Sequence, residues 1–173
     1  MRTANLPHPF LPPEIAPLLD ISFIRLTEHG DHFGRNTSRI LAEKSDCMFV
    51  IPGKVEIAKD EVNIPAERIQ AATPRQPFTL RGVQITPMRA IHGNPKFAVF
   101  EEANLEDCGY YITIGDKTLL QPGDTVLLED HLFLKHVDVL FFSPTEHNMH
   151  IQQSVILINE LEPDYICPNT VTR

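Results

Sequence analysis

A layered α/β fold is predicted by three features of the sequence. A strand–loop–helix–strand order runs from residue 21 to residue 52. A tight hairpin with two β-rich arms occupies residues 108–125. After it, strands and helices alternate to the end of the chain. A helix between two strands buries its apolar stripe against the sheet those strands form, and the connection then favours parallel pairing.

The 173-residue chain has 42% hydrophobic residues, enough for one globular domain with its own core, and no repeat or Gly/Ser linker divides it. Residues 1–19 read as an extended, proline-rich entry segment. "ISFIRLT" (21–27) is β-branched and aromatic and reads as a buried strand. The polar loop "HGDHFG" follows. "RNTSRILAEKS" (35–45) carries Ile40 and Leu41 among charges, with Asn36 or Thr37 as a cap, and reads as a helix. "CMFVIP" (47–52) is a short apolar strand that Pro52 stops. "RIQAA", "QPFTLRG", "VQITPMRA" and "FAVFE" are short strands punctuated by Pro and Gly. In "CGYYITIGDKTLLQPGDT", Gly115-Asp116 supplies the reversal. "LLEDHLFLK" (127–135) reads as a short helix and "VDVLFFSP" (137–144) as a buried strand. "HIQQSVILINELEP" (150–163) is an amphipathic helix, and "DYICP" (164–168) a last strand.

Net charge is −8 with Lys and Arg scattered, which argues against nucleic acid as a partner, since that needs a basic stripe to displace counterions. No apolar run is long enough to span a bilayer, and the start lacks the layout of a signal peptide, so no membrane partner is expected. Cys47, Cys108 and Cys167 are far apart and sit in apolar runs. They form no disulfide framework or metal knuckle and read as small buried hydrophobes of a cytoplasmic protein.

Polar residues collect where strands end. His29, Asp31 and His32 follow the first strand, Asp124 follows the hairpin, and His147 and His150 follow "VLFF". Ligands of open α/β sheets gather beyond the carboxyl ends of strands, so these loops point to one mouth.

"TEHGDHFG", "AIHG", "LLQPGDT" and "PDYICP", in this order and at these separations, resemble the motifs of the metallo-β-lactamase superfamily. The nearest branch is that of the ascorbate-6-phosphate-lactonase-like metal-dependent hydrolases, and the resemblance runs from about residue 20 onward. It implies a four-layer αββα sandwich, here with an incomplete first sheet. It also implies one or two divalent ions, zinc first and manganese second, held by His29, Asp31, His32, His92 and Asp124. A water acidified by the cations would attack a carbonyl or phosphoryl centre, with Asp124 bridging the metals and Asp31 orienting the nucleophile. The implied substrate is a small, anionic lactone or phosphoester.

Two positions depart from the family pattern. Thr27 stands where the first histidine of H-x-H-x-D-H belongs, and Asn169 and Thr170 stand where a last histidine follows the final strand. A catalytic zinc normally keeps three protein ligands, so each loss weakens a site. Glu146 or His147 could replace a lost ligand or act as acid or base; equally, "SPTEHNMHI" could be the punctuation of a helix start with Asn148 as cap. His8, His131 and His136 have no motif context and read as surface or satisfied structural histidines. A sheet short of its opening strands leaves an edge, so a homo-oligomer is expected. The rival to a hydrolase is a non-catalytic relative that keeps the fold and binds a metal or a metabolite.

Overall fold

The computed structural model describes residues 21–23, 35–53, 62–93, 105–144 and 148–168. It divides into two compact units, residues 1–71 and 72–173.

The first unit carries the early strand–helix–strand. β1 (Ile21–Phe23) pairs in parallel with β2 (Met48–Pro52), as the intervening helix α1 (Arg35–Lys44) requires, and β3 (Ile69–Ala72) completes a three-stranded sheet on the far side of β2. Leu41 of α1 packs with Cys47, Phe49, Ile51, Val62 and Ile64 in a buried cluster. The helix begins at Arg35, so Asn36 and Thr37 lie inside its first turn and do not cap it. Its carboxyl end is closed by Arg68. That guanidinium donates to the carbonyls of Ala42 (2.8 Å), Leu41 (3.4 Å) and Cys47 (3.0 Å) while lying over the Phe49 ring. A planar cation with several donors suits the last helical carbonyls, which have no partner inside the helix.

The second unit is a six-stranded sheet in the order β4 (Phe78–Leu80), β5 (Val83–Arg89), β6 (Cys108–Ile114), β7 (Lys117–Gln121), β8 (Val139–Phe142), β9 (Tyr165–Pro168). β4 to β7 are antiparallel, and β7, β8 and β9 are parallel. The β6–β7 hairpin closes at Ile114–Lys117, with Gly115-Asp116 as its two-residue turn. The expected helix over 127–135 contracts to one turn, α2 (Glu129–Leu132), because Leu127 and Leu134 on either side of it pack against the core. α3 (Ile151–Leu161) follows β8 and lays Leu157 and Leu161 on Met88, Leu120, Val137 and Leu140. It starts at His150, whose Nδ1 accepts the Gln152 N–H (3.3 Å), and not at Asn148. It stops at Glu162, which takes a left-handed conformation (φ 43°) just before Pro163.

The amino ends of the parallel strands are fastened by one residue. Asp138, buried just before β8, accepts from Lys117 Nζ (2.8 Å), from Thr118 N–H (2.8 Å) and from Thr118 Oγ1 (2.8 Å). Its carbonyl accepts the Tyr165 N–H (2.8 Å), so β7, β8 and β9 are all tied to it. Those donors hold the Asp138 carboxyl well below the usual carboxylate range, the Lys117 hydrogen bond foremost. Of the three cysteines, Cys47 and Cys108 are buried and Cys167 is half-buried. Burial pushes the Cys108 thiol up to about 12, which makes it inert. No helix among the described residues is long and apolar enough to cross a membrane.

Candidate metal centre

β5 and β7 both run antiparallel to β6, so their carboxyl ends open on the same edge of the sheet, where β8 also ends. His92 lies three residues beyond Arg89, the end of β5, and Asp124 three beyond Gln121, the end of β7. Two hydrogen bonds join these segments at the residues next to them. The Ile91 N–H donates to Thr125 Oγ1 (2.9 Å), and the Val126 N–H donates to the Ile91 carbonyl (2.9 Å). Thr125 is wholly buried, and its hydroxyl hydrogen goes to the Val126 carbonyl (2.8 Å). On the other side, the Leu127 N–H donates to Gln153 Oε1 of α3 (3.0 Å). The Asp124 segment is therefore clamped between the end of β5 and the start of α3.

Two glycines make this route possible. A Cβ on Gly109 of β6 would stand 2.2 Å from the Pro122 carbonyl oxygen, so only glycine lets the chain turn off β7 so close to β6. Gly123 has φ +80°, a left-handed conformation that costs other residues energy. Together they deliver Asp124 to a buried position, 6% exposed, in a segment that adjoins the one carrying the half-buried His92. A buried carboxylate is costly unless hydrogen-bonded, paired or set against a cation. A carboxylate and an imidazole from neighbouring segments form a donor set that suits zinc or another first-row divalent ion.

Of the residues the sequence singles out, His92 and Asp124 are thus brought into adjoining segments. His29, Asp31, His32 and His147 lie outside the described residues, as do Thr27, Asn169 and Thr170.

The histidines without motif context divide. His136 is exposed, as expected, but its Nε2 is 3.4 Å from Asp138 Oδ2. With Asp164 the two form a group whose potential ligand atoms all lie within 4.8 Å of one another. This group stands at the amino ends of β8 and β9, the opposite edge from Asp124. The signal that could have found it is an aspartate just before each of two parallel strands. His131 is not at the surface. It is wholly buried; its Nδ1 accepts the Leu128 N–H (3.1 Å) and its Nε2 has no hydrogen-bond partner. Burial lowers its pKa to about 4, with Arg89 adding to the effect and Asp130 opposing it. Beside it, Asp130 accepts from both Arg75 and Arg89, which hold its carboxyl far below the ordinary range.

No family model matches the chain, and no curated protein matches its sequence. Solved structures do match it. The metallo-β-lactamase-fold protein YhfI from Bacillus subtilis aligns with TM-score 0.64 over 91% of this chain and 69% of its own, at 15% identity. A Parabacteroides distasonis protein provisionally assigned as a metal-dependent hydrolase aligns with TM-score 0.65 over 86% of this chain, at 18% identity. CmlA, a diiron β-hydroxylase from Streptomyces venezuelae, aligns with TM-score 0.72 over 88% of this chain, at 11% identity. The chain spans 64% of the Parabacteroides protein's length and 35% of CmlA's. At these identities the likeness shows the fold: this is a mixed α/β chain with the fold of metallo-β-lactamase-like proteins.

Proposed function

We propose that the protein is a metal-dependent hydrolase of a small anionic substrate, a lactone or a phosphoester. The observation that carries this reading is the pairing of the Ile91–His92 and Asp124–Val126 segments at the carboxyl edge of the sheet, with Asp124 buried. In the ligand set that the sequence motifs imply, His29, Asp31 and His32 join His92 and Asp124 around one or two divalent ions, zinc by preference and manganese next. When bound, such an ion supplies Lewis acidity toward water and toward the oxygen of a carbonyl or phosphoryl group. The chain's own part is to fix the segments of His92 and Asp124 through Thr125 and Gln153. Asp31 orients the attacking water, and His147 is the candidate acid or base for the leaving group. A small-molecule substrate, a cytoplasmic setting and self-association belong to the same proposal.

Thr27 and Asn169 favour a second reading, a relative that binds a metal or metabolite without turnover, because each replaces a nitrogen ligand. Metal analysis of untagged protein separates the two. The hydrolase predicts at least one equivalent of zinc, manganese or iron; less than half an equivalent refutes it. Asp124→Asn should then lower turnover of a chromogenic phosphodiester or lactone by about 100-fold or more, on the scale of losing an electrostatic catalytic group. An unchanged rate in that variant would leave the non-catalytic reading standing.

A further inference from the structure

Ser143 and Asn148 stand at the same carboxyl edge as Asp124, yet part of their hydrogen-bonding capacity is unused by the fold. Leu120 and Leu140 are register partners in the parallel β7–β8 pair. Asp124 (124 − 120 = 4) and Ser143 (143 − 140 = 3) therefore leave neighbouring strands four and three residues beyond the same level. Adjacent strands lie about 4.8 Å apart. Asn148 comes three residues before Ile151, the first residue of α3, and Gln153 of that helix accepts the Leu127 N–H, which fastens its first turn to the segment carrying Asp124. Both residues are 6% exposed, and neither Ser143 Oγ nor Asn148 Oδ1 has a hydrogen-bond partner. Buried polar atoms are almost always paired, and an unpaired one forfeits its hydration without return. Two such atoms at the sheet edge that carries a candidate metal ligand mark a place prepared for something else.

Their chemistry narrows what that is. A serine hydroxyl donates or accepts, and the carboxamide Oδ1 only accepts. A ligand hydroxyl satisfies both at once, accepting from Ser143 and donating to Asn148. Neither residue offers a counter-charge, so the anionic reacting group belongs elsewhere. We propose that Ser143 and Asn148 form a specificity-determining subsite for a hydroxyl-bearing arm of the substrate, next to the Asp124 segment. This inference rests on the reading of Asp124 as part of a hydrolytic metal centre.

The test uses the full chain loaded with zinc and two non-hydrolysable probes, butylphosphonate and 4-hydroxybutylphosphonate, titrated calorimetrically. The hydroxylated probe should bind about tenfold more tightly, the discrimination of one buried hydrogen bond. In the Ser143→Ala/Asn148→Leu double variant that preference should fall to about twofold or less, on losing the same bond. The melting temperature of the metal-free double variant should stay level or rise, because buried unpaired groups have been removed. Equal affinities for the two probes in the unsubstituted protein would overturn the subsite. So would a melting temperature lowered by several degrees in the double variant, which would assign these groups to an ordered structural water. If neither phosphonate binds, the metal-centre reading itself fails, and the subsite fails with it.

Discussion

Mild acid should destabilise the second unit through His131, well before its carboxylates matter. The imidazole is wholly buried, its Nδ1 accepts from the Leu128 N–H, and the proton it carries therefore sits on Nε2. Burial leaves a charge on the ring without water, an effect that Asp130 opposes and the Arg89 guanidinium adds to, so the folded pKa is about 4; protonating Nδ1 also breaks the Leu128 bond. In the unfolded chain the same ring titrates at about 6.5. A basic group whose pKa is depressed by folding contributes its full stability above the unfolded value. That contribution is lost as pH falls from about 6.5 toward 4. Linkage gives a loss of about 2 kcal/mol at pH 5 and about 3 kcal/mol at pH 4, with a slope near pH 5 of about 1 kcal/mol per pH unit. Asp130 and Asp138 act in the same direction, but only below about pH 4, where unfolded carboxyls take up protons. The window between pH 6.5 and 5 is therefore informative. Urea denaturation of the unsubstituted protein and of His131→Met, measured at half-unit steps across that window, gives the difference. The variant loses the Leu128 hydrogen bond at every pH, at a cost of about 1 kcal/mol, but it loses no further stability through this ring on acidification. The stability gap between the two proteins should thus shrink or reverse by about 2 kcal/mol on going from pH 7 to pH 5. A gap that stays constant, or a His131 imidazole that titrates near 6.5 by NMR in the folded protein, would refute the assignment.

Other perturbations test how the candidate site is held. Gly109→Ala puts a methyl group against the Pro122 carbonyl, so it should cost about 3 kcal/mol in urea denaturation, at the upper end for an overpacked core. It should also lower zinc uptake, because the segment leading to Asp124 must move. Asp138→Asn keeps an acceptor for the Thr118 N–H and loses the charge opposite Lys117, and thermal melts at pH 7 should show lower stability. Since Asp138 has a lowered folded pKa, its contribution is present above the unfolded carboxyl value and is lost as pH falls toward the folded one, so the gap between the melts should begin to narrow below about pH 4 and keep narrowing as the pH is lowered further. Arg68→Ala uncaps the carboxyl end of α1 and should destabilise the first unit by about 1–2 kcal/mol, read as faster amide exchange at Ala42–Lys44.

Much of this architecture is written in local patterns. Strand–helix–strand spacing announces the parallel β1–β2 pair, and Gly115-Asp116 announces the hairpin that fixes the direction of β7. The alternation after residue 127 announces β8, α3 and β9. Asp124 is legible as a residue just past a strand. What failed to show are features decided by tertiary contact. Leu127 and Leu134 look helical in spacing, yet each is drawn into the core and leaves only one turn between them. Asn148 looks like a cap, but the His150 ring reaches the Gln152 N–H, and the asparagine is left buried with an unpaired oxygen. His131 carries no pattern that separates a buried imidazole from an exposed one, since its burial depends on how α2 lies against β5 and α3. Asp138 and Asp164 become neighbours only through the β8–β9 register, which joins residues 26 positions apart (164 − 138).

The two edges of the six-stranded sheet hold similar side chains and solve different problems. At the amino edge, His136, Asp138 and Asp164 have the composition of a metal site, but Lys117 already sets its ammonium 2.8 Å from Asp138 Oδ1. Both Asp138 oxygens are engaged by protein donors, from Lys117 and Thr118, so a divalent ion would have to displace an ion pair that ties β7 to β8. That edge needs no further cation, and its cost of assembly is met within the fold. At the carboxyl edge the order is reversed. Thr125, Gln153 and the two glycines are spent on fixing the backbone around Asp124, while Ser143 and Asn148 keep unpaired atoms buried at the same edge. Rigid backbone with unsatisfied side chains is the arrangement expected where a ligand completes the structure, because the protein has already met the cost of holding the site open. The proposed function accordingly assigns the chemistry to the Asp124 edge, while the Lys117 and Thr118 bonds make Asp138 at the other edge a fastening of the sheet.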